Sequence, residues 1–195
     1  MMGCNSGGGI KEGEEGKGRK GDGSVVDLKV VSKKIRDAVE FAGRVKEVET
    51  LVKSVDELAK AIGKKIKDDG SLDAEANHNG SLIAGAFQVI LTVETKLKEL
   101  EKQDELSVEF KAKVTGVKDR CTVLVNKLKG GHAELGIEGA TDENVQKAID
   151  RTNKPNGDKG VAELIALNTA INELLKASNK IVSDVIAELV VTPTT

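Results

Sequence analysis

Apolar residues recur between positions 28 and 66 at Leu28, Val31, Ile35, Ala38, Ala42, Val45, Val48, Val52, Val55, Ala59, Ile62 and Ile66, in steps of three and four with one dropped residue between Val45 and Val48. The spacing predicts one long helix over 28–66 whose apolar stripe winds towards a partner helix. At ~1.5 Å rise per residue such a rod is roughly 60 Å long, several times the usual globular helix. Burying a dozen aliphatic side chains at ~1.5 kcal/mol each gives a gross term on the order of 20 kcal/mol, most of it cancelled by ordering entropy. Later helices are therefore expected to pack on this one.

The same periodicity returns downstream. A second helix reads on Ile83, Phe87, Ile90, Val93, Leu97 and Leu100, with Asn79 or Ser81 as its cap. A third reads on Phe110, Val114, Val117, Cys121, Leu124 and Leu128 and stops at Gly130-Gly131. A short fourth fits 142–151, capped by Thr141 or Asp142, and Asn153-Lys154-Pro155-Asn156-Gly157 breaks the chain after it. The last helix reads on Leu164, Leu167, Ile171, Leu174, Ile181, Val185 and Leu189. Ser24 is a fair cap for the first helix, Gly43 and Gly63 suit close backbone approach or a bend within it, and Asp69-Gly70 is a tight-turn signal compatible with a very short hairpin. The fold class expected is all-α: an elongated bundle of about five helices with a long first helix and room for one short β-hairpin after it. Residues 25–190 form the bundle and 191–195 a frayed tail.

Composition sharpens the picture. The chain has 195 residues, enough for one proper core, and with three Phe, no Tyr and no Trp that core is aliphatic. A net charge of -2 and the lack of an aromatic stacking platform speak against nucleic acid as a partner. No apolar run approaches ~20 residues, so no stretch reads as a membrane span.

Residues 5–24 hold Gly at 7, 8, 9, 13, 16, 18, 21 and 23 among charges of both signs, with almost nothing to bury. They predict a disordered tether whose ends lie roughly 25 Å apart. Gly16-Lys17-Gly18-Arg19-Lys20-Gly21 matches a dinucleotide fingerprint in letters only, because that motif needs a strand before it and a helix on its third Gly. In front of the tether stands Met1-Met2-Gly3-Cys4-Asn5-Ser6, a small residue directly before Cys, as at a bacterial lipoprotein processing site. The basic and apolar parts of a signal sequence do not precede it, which predicts a truncated copy or incomplete reading frame. An ordinary exposed cysteine fits these residues equally well.

Candidate chemistry is sparse. His78 and His132 each sit in a polar, Gly-bordered loop without a second His or Cys at ligand spacing, so both read as surface histidines and no metal or cofactor is expected. Cys121 occupies a seam position, where a small buried thiol is the simplest reading. No hydrolase, zincin or phosphate-loop run occurs, and no catalytic role is assigned. The exposed face of the first helix carries Lys33, Lys34, Arg36, Lys46, Glu47, Glu49 and Lys53. The lysine clusters at 64–67, 111–118 and 127–129, read as interleaved with acids, could meet a sulfated glycan or anionic surface, but a solvated helix face predicts the same pattern.

The wording beyond the tether carries a resemblance. Val45-Lys46-Glu47-Val48-Glu49-Thr50-Leu51-Val52, Asp56-Glu57-Leu58-Ala59, Ala61-Ile62-Gly63-Lys64-Lys65-Ile66 and Asn77-His78-Asn79-Gly80-Ser81-Leu82-Ile83-Ala84-Gly85-Ala86 follow one another, and then come Asn126-Lys127-Leu128-Lys129, His132-Ala133-Glu134-Leu135-Gly136 and Lys147-Ala148-Ile149. Over about 25–189 these ordered blocks resemble the variable small proteins (variable major protein family) of relapsing-fever Borrelia and their relative in Lyme spirochaetes, outer surface protein C. The resemblance implies a five-helix bundle with a small hairpin, a homodimer, and attachment to the outer membrane through lipid on Cys4. It implies a non-enzymatic surface antigen whose variants are switched to evade host antibody, with some members acting as adhesins for host glycosaminoglycan or matrix protein. A glycan- or small-ligand-binding module is the alternative. The family's charged cluster near the dimer cleft is matched by Lys46, Glu47 and Glu49, which become ligand-binding candidates, although their spacing spreads them over more than one helix face.

Overall fold

The computed structural model describes residues 17–19, 25–103 and 106–188. The chain runs β1 (Lys17–Arg19), β2 (Val25–Asp27), α1 (Leu28–Ala59), β3 (Lys64–Ile66), β4 (Leu72–Ala74), α2 (Gly80–Glu101), α3 (Val108–Gly130), α4 (His132–Leu135), α5 (Asp142–Ile149) and α6 (Val161–Ala187). Four long helices form the bundle: α1 packs on α2 and α6, and α3 packs on the same two. The aliphatic seams read from the sequence make the core. Val45, Val52 and Val55 of α1, Ile90, Val93 and Leu97 of α2, Val114, Cys121 and Leu124 of α3, and Leu164, Leu167 and Ile171 of α6 are all fully buried. Phe41 and Phe110 close one end of it edge to face, with ring centroids 5.1 Å apart.

The first helix is shorter than its apolar stripe. It ends at Ala59 after 32 residues, about 48 Å at ~1.5 Å each. Lys60 to Gly63 then make a turn, and Gly63 adopts φ 69°, a left-handed conformation that stops helical propagation. Lys64–Ile66 becomes β3, paired antiparallel with β4 so that Ile66 faces Leu72 across the ladder. The stripe's outermost members, Leu28 at 46% and Ile66 at 81% exposure, lie outside the core. Gly43, in contrast, has no neighbour within 4 Å of where a Cβ would stand, so close approach is not its role.

Other ends differ in detail. Asp27, not Ser24, caps α1, accepting from the backbone N–H of Lys29 at 2.9 Å and of Val30 at 3.3 Å. Inside the expected tether, Lys17–Arg19 forms β1 and pairs antiparallel with β2. The rest of 1–24 and the tail at 191–195 lie outside the described residues. The single-turn α4 follows the Gly130-Gly131 stop, and α5 ends at Ile149, two residues before its expected end, where Asp150 turns its carboxylate onto the N–H groups of Thr152 and Asn153.

The two poles of the bundle are built differently. At one, α1 begins, α6 ends, and Lys34 stands 3.8 Å from Glu188. At the other, the β3–β4 hairpin, the head of α2 and the start of α5 are tied by polar contacts. The Asn79 side chain accepts from Gly63 N–H at 2.8 Å and donates to Ala140 O at 3.0 Å. Asn77 and Asp142 exchange backbone-to-side-chain bonds of 2.9 and 3.0 Å. Asn79 is 2% exposed, so this knot is a buried polar joint with its partners satisfied.

Candidate functional site

Lys46, Glu47 and Glu49 sit mid-way along α1, and the helix deals them onto different faces. Glu49 falls four residues after Val45 and three before Val52, on the buried seam. It is 4% exposed, which corrects the expectation that it belongs to the solvated face. Two lysines of the same helix make burial tolerable. Lys46 Nζ donates to one carboxylate oxygen, and Lys53 Nζ stands 2.5 Å from the other. Hydrogen bonds from Lys46 and then from Lys53 hold the Glu49 carboxyl below the usual glutamate range, against the opposing effect of burial. The two lysine side chains are 58% and 56% exposed, so the triplet turns an excess positive charge outward.

Glu47 points elsewhere. It accepts from Lys96 of α2 at 2.9 Å, an exposed bridge between two helices, and that bond first of all lowers its pKa. The structure thus joins Lys46 and Glu49, adds Lys53, and separates Glu47 from them. Lys53 could have been found from its place four residues after Glu49.

The remaining candidates disperse. His78 is exposed in the loop after β4, and exposed His132 has Nδ1 3.1 Å from the carbonyl of Lys129. Cys121 Sγ donates to the Ile90 carbonyl at 3.7 Å, and burial, followed by the nearby Glu94 charge, pushes its thiol up to about 12. Such a thiol is no nucleophile at neutral pH. Among the described residues no group of three His, Cys, Asp or Glu could hold a metal ion. No helix among them is long and apolar enough to cross a membrane. Cys4 lies outside the described residues.

Sequence reasoning missed two features. Arg151 clamps Asp56 with a two-pronged bond, Nε to Oδ1 at 2.8 Å and Nη2 to Oδ2 at 2.5 Å, tying the segment after α5 to α1 across 95 residues. Two clefts also open on the bundle: one of about 640 Å³ at the hairpin pole and one of about 930 Å³ at the opposite pole. Neither leaves a local sequence signal, because each is assembled from several elements.

A family model described as "Lipoprotein" (Lipoprotein_6) matches residues 25–195. Variable small protein 11 of Borrelia hermsii is 47% identical over 192 residues, 97% of this chain and 90% of that protein. Outer surface protein C of Borreliella burgdorferi is 46% identical over 163 residues, 84% of this chain and 75% of its own length. Among solved structures, Variable Small Protein 1 of Borrelia turicatae superposes with a TM-score of 0.80 at 47% identity, covering 84% of this chain and 99% of that one.

Proposed function

The chain belongs to the lipoprotein family that includes the variable small proteins and outer surface protein C, and from that membership we propose that it is a lipid-anchored antigen of the bacterial outer surface, one of a set of variants exchanged to evade host antibody. The observation that carries this reading is the likeness to variable small protein 11 across 97% of the chain. Acyl chains on Cys4 supply the anchor, since more than one chain holds stably where a single chain is marginal. The protein acts by presentation, as a homodimer, and no catalytic step is assigned to it.

The fold suits that task physically. Its stability resides in aliphatic seams, while most charged side chains lie outside, many of them paired along their own helix. Exposed residues can change from variant to variant at little cost as long as core volume and pattern are kept. Antibody recognition can therefore drift without loss of the bundle.

Protease added to intact cells tests the placement: the protein is expected to be removed while a periplasmic marker survives. Resistance until the cells are lysed would overturn it. Serum raised against this protein tests the variation, and is expected to coat cells expressing it and to spare sister clones expressing another variant. Mass spectrometry of the mature N-terminus checks the acyl chains on Cys4.

A second reading is favoured by one observation, the outward positive excess of Lys46 and Lys53 about Glu49. It makes α1 a contact for a host glycosaminoglycan or an acidic matrix protein, with Lys46 and Lys53 touching the ligand and the buried Glu49 holding them in place. Heparin affinity that falls with salt and drops on Lys46→Ala with Lys53→Ala supports it. Affinity indifferent to both changes counts against it.

A further inference from the structure

The cleft at the hairpin pole lies between the first two turns of α2, the last turn of α3, α4 and residues 136–138. Its volume of about 640 Å³ falls within the ~300–1,000 Å³ range of clefts that hold small ligands. Ile83, Leu128 and Leu135 form a buried floor, and Ala84, Phe87 and Ile137 form the sides. Ile137 is 51% exposed, so the cleft turns apolar surface to water instead of covering it.

The cleft is held open by packing around it. The Gly80 N–H donates to Glu138 O at 3.3 Å, and the loop lies so close that a Cβ on Gly80 would stand 2.4 Å from the Ile137 carbonyl oxygen. The outer wall is thereby packed against the head of α2. A preformed site loses less on binding than one that must be ordered first.

Charge at the mouth is asymmetric. Lys129 and His132 stand together on the α3–α4 side, the Lys129 side chain exposed and its charge felt by Glu94 at longer range, and Glu138 stands on the opposite wall. An anionic head is therefore drawn to the Lys129 side and repelled from the Glu138 side, which sets one orientation. We propose that this cleft binds a small amphipathic carboxylate, its apolar body on Ile83, Leu128 and Leu135 and its charge beside Lys129. This site is independent of the antigenic reading and of the charged residues on α1.

Amide NMR of the folded chain titrated with octanoate and with octanamide, two probes of the same body, tests the proposal. Octanoate is expected to shift the amides of 81–87 and 128–138 saturably. Octanamide is expected to bind roughly two- to five-fold more weakly, the worth of an exposed ion pair. Lys129→Ala, a surface change, is expected to erase that difference. Ala84 is exposed, so Ala84→Trp fills the cleft from the solvent side and is expected to abolish the shifts with helicity retained. No saturable shift at the cleft, equal affinity for the two probes, or binding that survives Ala84→Trp in a folded chain overturns the proposal.

Discussion

Asp142, in the first turn of α5, accepts a 2.7 Å hydrogen bond from the side-chain amide of Asn79, 63 residues earlier in the chain. The same amide group bridges to Gly63 and Ala140, so one buried side chain joins the turn after α1, the head of α2 and the entry to α5. Removing it leaves the half-buried Gly63 N–H without its partner and takes one of two donors from the buried Ala140 carbonyl, which keeps only the backbone N–H of residue 79. Asn79→Ala is expected to cost about 2–3 kcal/mol in urea unfolding, more than a typical core-neutral substitution. A loss under about 0.5 kcal/mol would show that the joint contributes little.

The two glycines of the first apolar stripe are expected to respond in opposite directions. Gly63 has φ 69°, and an added Cβ would stand 2.6 Å from an Asp142 carboxylate oxygen, so Gly63→Ala combines backbone strain with a clash in the joint. A loss of about 1–3 kcal/mol is expected. Gly43 lies mid-helix in open space, so Gly43→Ala is expected to gain about 0.5–1 kcal/mol through helix propensity. Thermal unfolding of the two variants side by side checks the contrast.

Acid is expected to weaken the bundle in a window set by its carboxylates. Glu49 is held below its usual value of 4.5 by Lys46 and Lys53. A group whose folded-state value is depressed contributes stability above its unfolded value, and that contribution is lost as pH falls through the folded value. Stability is thus expected to be level near neutrality and to decline below about pH 4.5. Glu94 and Glu101, lowered first of all by bonds from Lys98 and Lys118, add to the decline. Glu49→Gln is expected to shallow the acid slope; an unchanged slope would mean its pairing is worth nothing.

Cys121 is expected to be inert while the chain is folded. Its thiol is fully buried and pushed up to about 12, so thiolate is scarce at neutral pH. In a Cys4→Ala chain, a disulfide reagent is expected to titrate no thiol under native conditions and one thiol in denaturant. Native-state labelling at the rate of a free thiol would place Cys121 outside the core.

What could be read in advance follows from how local each determinant is. All six seam residues of α3 are buried as their period requires, because one helix face decides them. The end of α1 was illegible, since Ala59, Ile62 and Ile66 keep the helical period. What stops the helix is Gly63 engaging Asn79, a residue 16 positions away. Asn79 occupies the cap position of α2 that its residue type predicts, yet its side chain makes no cap bond because Gly63, Ala140 and Asp142 claim it. A four-residue helix such as α4 is too short to show any period. At the candidate site, spacing alone separates Lys46, Glu47 and Glu49 by face. Which face is buried depends on where α2 and α6 dock, and that is not written locally.

The meeting of the start of α1 and the end of α6 at one pole, near the Lys34–Glu188 contact, has a geometric consequence. Any mooring joined ahead of α1 leaves the β3–β4 hairpin and α5 pointing away from it. The Ile66–Leu72 end of that hairpin, with both side chains exposed, is then among the surfaces held farthest from the point of attachment.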